Sequence, residues 1–317
     1  MPSESSPHTL LIVNPAAGGG RAARALDRVL EELAPLRPFD VFVTQPGLER
    51  PAERAAFKAV NAGATRILVL GGDGSCSQAV NGAYAEGGVE ALSRVTFGFL
   101  PAGTGRDYAR TAGISRDPVQ AARVLARGAA SRRVDVGVVH LAGGVDRLFL
   151  NVASFGISAQ IAHALEEYPQ LKRRAGVIAF GLATVRAGLH YAPDEMELRV
   201  DLAAAQRGPT AAVAIANGGW FGGGMHVAPT ARLDDGLLEV VRFGNLARRD
   251  FVFSLPRLYR GTHYTHPQVT HSRGAEVQAA SLGAAGAREI EIEADGELVG
   301  ALPARFGVFP AALSLLA

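Results

Sequence analysis

The stretch Arg66–Gly82, RILVLGGDGSCSQAVNG, decides how the first part of this chain is read. A β-branched apolar run, Ile67 to Leu70, ends in Gly71, Gly72, Asp73 and Gly74, and a helical pattern follows. That order ends a strand in a backbone bend able to touch a phosphate. Glycine tolerates positive φ and carries no Cβ to hold a ligand off the main chain. Ser75 is placed to cap the helix, with Gln78 three residues on completing a capping box. The helix start then offers N–H groups without intrahelical partners, and the positive end of a dipole, to an anion. An ordinary tight strand-to-helix turn is the other reading of the same residues.

Outward from this junction the pattern repeats. Thr9–Val13 predicts a strand, followed by Asn14-Pro15, Gly18-Gly19-Gly20 and a helix over Arg21–Leu33. Asp40–Thr44 and Val95–Leu100 read as strands; Pro51–Asn61, Ser75–Ala85 and Pro118–Arg127 read as helices. Such alternation predicts an α/β domain: a parallel sheet with helices on both faces. Ligands in that architecture bind beyond the carboxyl ends of the strands, where the glycine loops after Val13, Leu70 and Leu100 all fall.

From about Arg132 the pattern changes. Arg133–His140, Asp146–Ala153, Glu197–Leu202, Ala211–Ala216, Leu237–Phe243, Glu276–Ala280 and Glu289–Ala294 predict strands, interrupted by a helical stretch over Ser158–Leu189. Many short strands with glycine-rich turns point to an antiparallel β-sandwich. The expected division is residues 1–131 as a nucleotide-binding domain and 132–317 as a sandwich domain, the last residues being free to pack back on the first. A cleft between the domains is the expected place for a substrate.

The chain has 317 residues, 48% hydrophobic and 20% charged, with a formal charge of +2. This is globular composition, and neither the charge nor any long basic stripe favours nucleic acid as a partner. Lys172-Arg173-Arg174 reads as a solvated helix start or a contact for anionic lipid headgroups. Cys76 is the single cysteine, so no intrachain disulfide forms and a reducing compartment is expected. It reads as a small buried residue rather than a reactive thiol. MPSESSPHT has no basic start or apolar core and is not a secretory signal. Val177–Leu189 is apolar but too short to span a bilayer and is interrupted by Arg186. The expectation is a cytoplasmic protein without a transmembrane segment, able to touch the inner membrane face and with room to form a homodimer.

Two further loops carry chemistry. LIVNPAAGGGRA, Leu11–Ala22, lacks the Lys-Ser/Thr of a Walker A loop and the GxGxxG spacing of a dinucleotide fold. Its glycines can still present N–H groups to an anion, with charge from Arg21 or Arg24. In LPAGTGRDYAR, Leu100–Arg110, the Thr104 hydroxyl either meets a phosphate or caps a helix with Asp107 in its first turn. Asp107 alternatively faces a metal ion or a hydroxyl. Among eight histidines no ligand constellation appears; His263 and His266 read as surface or capping groups. Trp220 and Phe221 line an acyl pocket or pack in a core.

Taken together, these loops resemble the soluble diacylglycerol kinase and sphingosine kinase superfamily. The resemblance rests on Asn14-Pro15 with Gly18, Gly71-Gly72-Asp73-Gly74-Ser75 and Pro101-Ala102-Gly103-Thr104-Gly105-Arg106-Asp107. It continues through Asn217-Gly218-Gly219, Gly222-Gly223-Gly224, Ala228-Pro229, Leu233-Asp234-Asp235-Gly236-Leu237-Leu238 and Ala294-Asp295-Gly296-Glu297, in the family's order over nearly the whole chain.

The resemblance implies transfer of the γ-phosphoryl group of ATP to a lipid hydroxyl at a membrane surface, most readily diacylglycerol. It implies that Asn14, Pro15, Ala16, Ala17, Gly18, Thr44, Gly71, Gly72, Asp73, Gly74, Ser75, Cys76, Ser77 and Thr104 hold the nucleotide. It further implies a structural Mg²⁺ held by Asp235 with the carbonyls of Arg232 and Leu237, where the plain reading of Asp234-Asp235-Gly236 is a β-turn. Oxygen-only ligation suits that hard ion. Glu297 resembles the general base that takes the lipid hydroxyl proton, and Asp73 is the second catalytic candidate, through Mg²⁺ and the phosphates. From the residues alone Asp295-Gly296 reads as a hairpin turn after the half-buried strand EIEIEA. Ser75 departs from the family's threonine but keeps the hydroxyl. Arg106 stands where asparagine is usual, free to bind phosphate or to pair with Asp107. Two rivals remain: a kinase of a soluble acceptor such as NAD, and a non-catalytic nucleotide or lipid sensor.

Overall fold

Thr9–Val13 (β1), Asp40–Val43 (β2), Arg66–Gly71 (β3) and Thr96–Pro101 (β4) form a parallel sheet in the order β2-β1-β3-β4. The computed structural model describes residues 8–166, 183–184, 186–188, 191–247, 250, 255–284 and 288–317. They divide into two units, Met1–Val134 with Ala311–Ala317 and Asp135–Pro310.

In the first unit β1, β3 and β4 are almost wholly buried, as expected of parallel strands covered on both faces. β2, at the edge, leaves Val41 and Val43 exposed. One face of the sheet presents Leu11, Val13, Leu68, Leu70 and Leu100 to Ala17–Glu32 (α1) and Pro118–Ala126 (α5), whose Ala22, Val29, Ala121, Ala122 and Leu125 complete that core. The alternate residues Ile12, Ile67 and Val69, also buried, serve the face of Pro51–Asn61 (α2) and Asp73–Arg94 (α3). Gly18, Gly19 and Gly20 have φ of 60°, 66° and 84°, so α1 opens with a left-handed turn and runs regularly only from Arg21. Asp107–Thr111 forms a short helix, α4, that the periodicity does not reveal. At the far end of the chain Ser314–Leu316 pairs in parallel with Thr96–Gly98 and adds a fifth strand.

The second unit is an antiparallel sandwich. One sheet runs Val269–Gly274 (β12), Leu238–Phe243 (β11), Ala212–Ala216 (β10), Val152–Gly156 (β7), Glu291–Ala294 (β14), Glu297–Ala301 (β15). The other contains Gln206–Thr210 (β9), Asp194–Val200 (β8), Glu276–Ser281 (β13) and Ala304–Leu316 (β16), with Ser131–Leu141 (β5) pairing β16 and Val145–Phe149 (β6). Phe149, Phe155 and Phe306 fill the space between them, the last two rings stacked at 5.7 Å.

The single strand expected over Asp146–Ala153 is two, β6 and β7. The break has a distant cause: the Asp295 carboxylate accepts the N–H groups of Leu150 (2.6 Å), Asn151 (3.0 Å) and Val152 (3.2 Å), which no ladder can then use. Of the helical stretch over Ser158–Leu189, Ile157–Glu166 (α6) is described. Lys172-Arg173-Arg174, most of Val177–Leu189 and residues 1–7 lie outside the described residues. Among the described residues no helix is long and apolar enough to cross a membrane.

Candidate active site

Three loops meet at the carboxyl edge of the first unit's sheet. Asn14 follows β1, and its N–H donates to the Leu70 carbonyl at 2.9 Å. Its side chain ties two loops: Nδ2 donates to Ser75 Oγ at 3.0 Å and Oδ1 accepts from Ala16 N at 3.2 Å. The Gly71 carbonyl accepts Ala102 N at 2.7 Å and Gly103 N at 3.2 Å. Arg21 Nη1 donates to the Gly103 carbonyl at 2.6 Å. A Cβ on Gly103 would lie 2.7 Å from Gly72 Cα, so only glycine allows these two backbones to approach. Thr44, just past β2, is buried, and its N–H bonds the Val13 carbonyl at 2.8 Å.

Asp73 is the knot of this assembly. Its carboxylate accepts the N–H of Asp107 at 3.1 Å and of Tyr108 at 3.3 Å. These are the first amides of α4, so a side chain from one helix start caps another. Burial pushes the Asp73 carboxyl above the ordinary range, opposed by those same N–H donors.

Three expectations are corrected here. Ser75 does not cap α3: that helix begins at Asp73 after an extended Gly72, without a side-chain cap, and Ser75 Oγ receives Asn14 instead. Thr104 is exposed and caps nothing, because α4 starts at Asp107 and Asp73 supplies its acceptor. Arg106 does not pair with Asp107; left-handed at φ 54°, it donates to the Arg116 carbonyl at 2.9 Å, while Arg110 lies 3.7 Å from Asp107. Asn14 to Gly18, Thr44, Gly71 to Ser77 and Thr104 thus all fall on one sheet edge. The Cys76 and Ser77 side chains are buried, and Cys76 N already bonds the Gly72 carbonyl at 3.2 Å.

In the second unit Asp295 (φ 50°) and Gly296 (φ 90°) make the two-residue hairpin turn between β14 and β15. Glu297 opens β15, and Arg147 Nη2 lies 3.6 Å from its carboxylate. Arg147 sits inside an apolar strand pattern and gives no sequence signal of this role. Asp235 Oδ1 accepts Leu237 N at 3.2 Å, and its other oxygen takes the Arg273 guanidinium. Arg273 Nε also lies 3.4 Å from the buried carboxylate of Glu239, and Asp135 accepts Gly236 N at 2.7 Å. Asn217, wholly buried, donates to the carbonyls of Asp135 (3.0 Å) and Leu150 (2.8 Å), which fixes the glycine loop after β10. His263 is no surface group: it is buried with its Nε2 at 2.9 Å from the Val227 carbonyl, and burial lowers its pKa to about 4. Trp220 stacks on His226 at 3.9 Å, while Phe221 packs against a buried cluster.

Residues 8–139 match the diacylglycerol kinase catalytic domain, and residues 151–317 match the YegS C-terminal NAD kinase beta sandwich-like domain. The chain belongs to the diacylglycerol kinase and YegS-like lipid kinase family. It is 27% identical to a diacylglycerol kinase of Mycobacterium tuberculosis over 96% of this chain and 93% of that protein. It is 30% identical to the "Probable lipid kinase YegS-like" of Pseudomonas aeruginosa over 96% of this chain and 92% of that protein. The fold matches a crystal structure of a diacylglycerol kinase from Bacillus anthracis with a TM-score of 0.71, 20% identity and coverage of 98% and 96% of the two chains. Family membership makes the chain a phosphotransferase and implies ATP as its donor.

Proposed function

We propose that this chain transfers the γ-phosphoryl group of Mg²⁺·ATP to a lipid hydroxyl, that of diacylglycerol, giving phosphatidic acid at the cytoplasmic membrane face. The observation that carries this reading is the tying of the Asn14, Gly71–Ser75 and Gly103–Asp107 loops at one sheet edge by Asn14, Arg21 and Asp73. Phosphoryl transfer asks a protein mainly for positioning and charge neutralisation, which such a cradle supplies.

In the first turn of α3 the Asp73 N–H meets its own carboxylate, while those of Gly74 and Ser75, with no carbonyl one turn earlier to accept them, would receive an anion. Asn14 to Gly18, Gly71, Gly72 and Thr44 shape the wall; the exposed Thr104 hydroxyl bonds a phosphate oxygen. Cys76 and Ser77 contribute through position, since their side chains are buried. Asp73 holds the third loop by accepting the Asp107 and Tyr108 N–H groups, and would be the carboxylate that meets the nucleotide's Mg²⁺. Glu297, oriented by Arg147, takes the proton of the acceptor hydroxyl.

A structural Mg²⁺ fits the Asp234-Asp235-Gly236 turn by the chemistry of its donors. Asp235 lies in the turn with Arg273 shared between it and Glu239, while His271 also reaches Glu239 and Asp135 bonds Gly236 N. The Glu239 oxygen that faces Arg273 Nε at 3.4 Å is buried and makes no hydrogen bond. Asp235 with the carbonyls of Arg232 and Leu237 would hold the ion, and Glu239 would keep Arg273. Among the described residues no three His, Cys, Asp or Glu side chains converge as a metal site, so the proposed set leans on the two carbonyls. The ion would staple the turn rather than take part in transfer.

The test is a panel: purified protein with labelled ATP and Mg²⁺ against mixed micelles of diacylglycerol, monoacylglycerol, a sphingoid base or phosphatidylglycerol, and against NAD. Label in phosphatidic acid is the expected result. Label in NAD alone overturns the proposal.

A further inference from the structure

A cavity of about 430 Å³ lies in the first unit beside the loops just described. Arg21, Arg24 and Arg28 line it from α1, at helical spacings of three and four; Arg106 and Arg116 line it from the segment flanking α4. One carboxylate, Asp117, reaches the same wall.

The acidic groups nearby make their hydrogen bonds elsewhere, although Asp73 acts on Arg106 and Glu32 on Arg28 through their charge. Asp117 caps α5, accepting Val119 N at 2.8 Å and Gln120 N at 3.4 Å. Glu32 bonds Arg123 Nε at 3.1 and 3.2 Å. Asp107 has Arg110 at 3.7 Å. The bonds that the lining guanidiniums make end on carbonyls: Arg21 on Gly103, Arg24 on Gly19, Arg106 on Arg116. A carbonyl satisfies an N–H but neutralises no charge. Arg106 Nε is buried and bonds nothing. Burial together with the charges of Arg21, Arg116 and Arg110 pulls the Arg106 guanidinium below its usual range, a sign of mutual repulsion.

Five guanidiniums and one carboxylate face the same open hollow, a surplus of positive charge that attracts anions. Guanidinium presents a planar fork of donors that matches phosphate oxygens two at a time. The volume falls within the range of small-ligand sites. We propose that this arginine cavity is a binding site for a phosphate-ester anion, separate from the amides at the start of α3. Arg106 is central to it, and by resemblance its position usually carries asparagine, so the site is a feature of this chain's own residues. It does not depend on which acceptor the chain phosphorylates.

Inorganic pyrophosphate, titrated into the full-length protein by calorimetry at 0.15 M salt, is the direct probe. A saturable one-to-one isotherm is expected, weakened about tenfold or more in R28Q/R116Q and again in R106N. Arg28 and Arg116 are exposed, so the double variant keeps the fold, which circular dichroism verifies. Adding ATP separates the sources: displacement of pyrophosphate by ATP places the anion in the nucleotide cradle and overturns a separate site. Displacement by phosphatidate vesicles, but not by ATP or phosphatidylcholine vesicles, assigns it to a lipid headgroup. No saturable heat in the wild type, or R28Q/R116Q binding like wild type, overturns the proposal. Transfer of label from ATP to lipid, measured on the same preparations, tests the kinase reading separately.

Discussion

The carboxylate of Asp73, in the first turn of α3, accepts the N–H of Asp107, in the first turn of α4, at 3.1 Å. One acidic side chain thereby fixes the angle between two helix starts and the loop that joins them to the sheet. Replacing it with alanine leaves the α4 amides without an acceptor. D73A is expected to lose about 1–2 kcal/mol of stability, the usual worth of a helix cap, together with measurable turnover. A variant with wild-type melting would remove this bond from the account of the site.

Gly103 faces Gly72 where no Cβ fits. G103A forces the second and third loops apart, and misplacement near 1 Å costs about 100-fold in rate. The loss should appear in kcat/KM for ATP under steady-state kinetics, while circular dichroism stays native.

Glu297 carries the proposed proton transfer. E297Q keeps size and hydrogen bonding but cannot accept the proton, so kcat should fall about 100- to 10,000-fold with ATP binding intact. Unaltered turnover would assign the base elsewhere.

Asp235 is expected to link Mg²⁺ to stability independently of turnover. At 100 times its Kd the ion adds about 2.7 kcal/mol, read as a rise in the thermal midpoint without nucleotide. D235N should abolish the rise, and R273Q should enlarge it by removing the competing cation. A flat Mg²⁺ titration in the wild type would rule the staple out.

His263 gives the second unit a pH dependence. Burial lowers its pKa from 6.5 to about 4, so between those values the unfolded chain binds a proton that the folded one does not. Stability from this residue is therefore full above pH 6.5 and declines as pH falls toward 4, by on the order of 3 kcal/mol. Trp220, the chain's single tryptophan, reports unfolding of the same unit. H263Q should flatten the profile between pH 6.5 and 4.

Much of this was readable in the sequence because it is local. Thr9–Val13 and Pro51–Asn61 fold over the predicted residues, since β-branched runs and helical spacing act within a few positions. The alternating elements and the glycine loops after Val13, Leu70 and Leu100 led directly to the shared edge. What escaped is long-range. Asp295 breaks the strand expected over Asp146–Ala153 from more than a hundred positions away, and Asp73 takes the capping task assigned to Thr104. Ser75 failed as a cap because an extended Gly72 starts the helix earlier. The arginine cavity draws on two segments about 80 positions apart, Arg21–Arg28 and Arg106–Arg116, and neither forms a basic run.

The pairing of Ser314–Leu316 with Thr96–Gly98 has a practical consequence for anyone cutting the gene. A fragment ending at Val134 would bare the flank of β4, with Phe97 and Phe99 close by and the wholly buried Leu313 and Leu315 missing. An unprotected apolar border of that kind recruits other strands, so such a fragment should precipitate. Adding residues 311–317 back through a short linker, as a circular permutant would, should restore solubility.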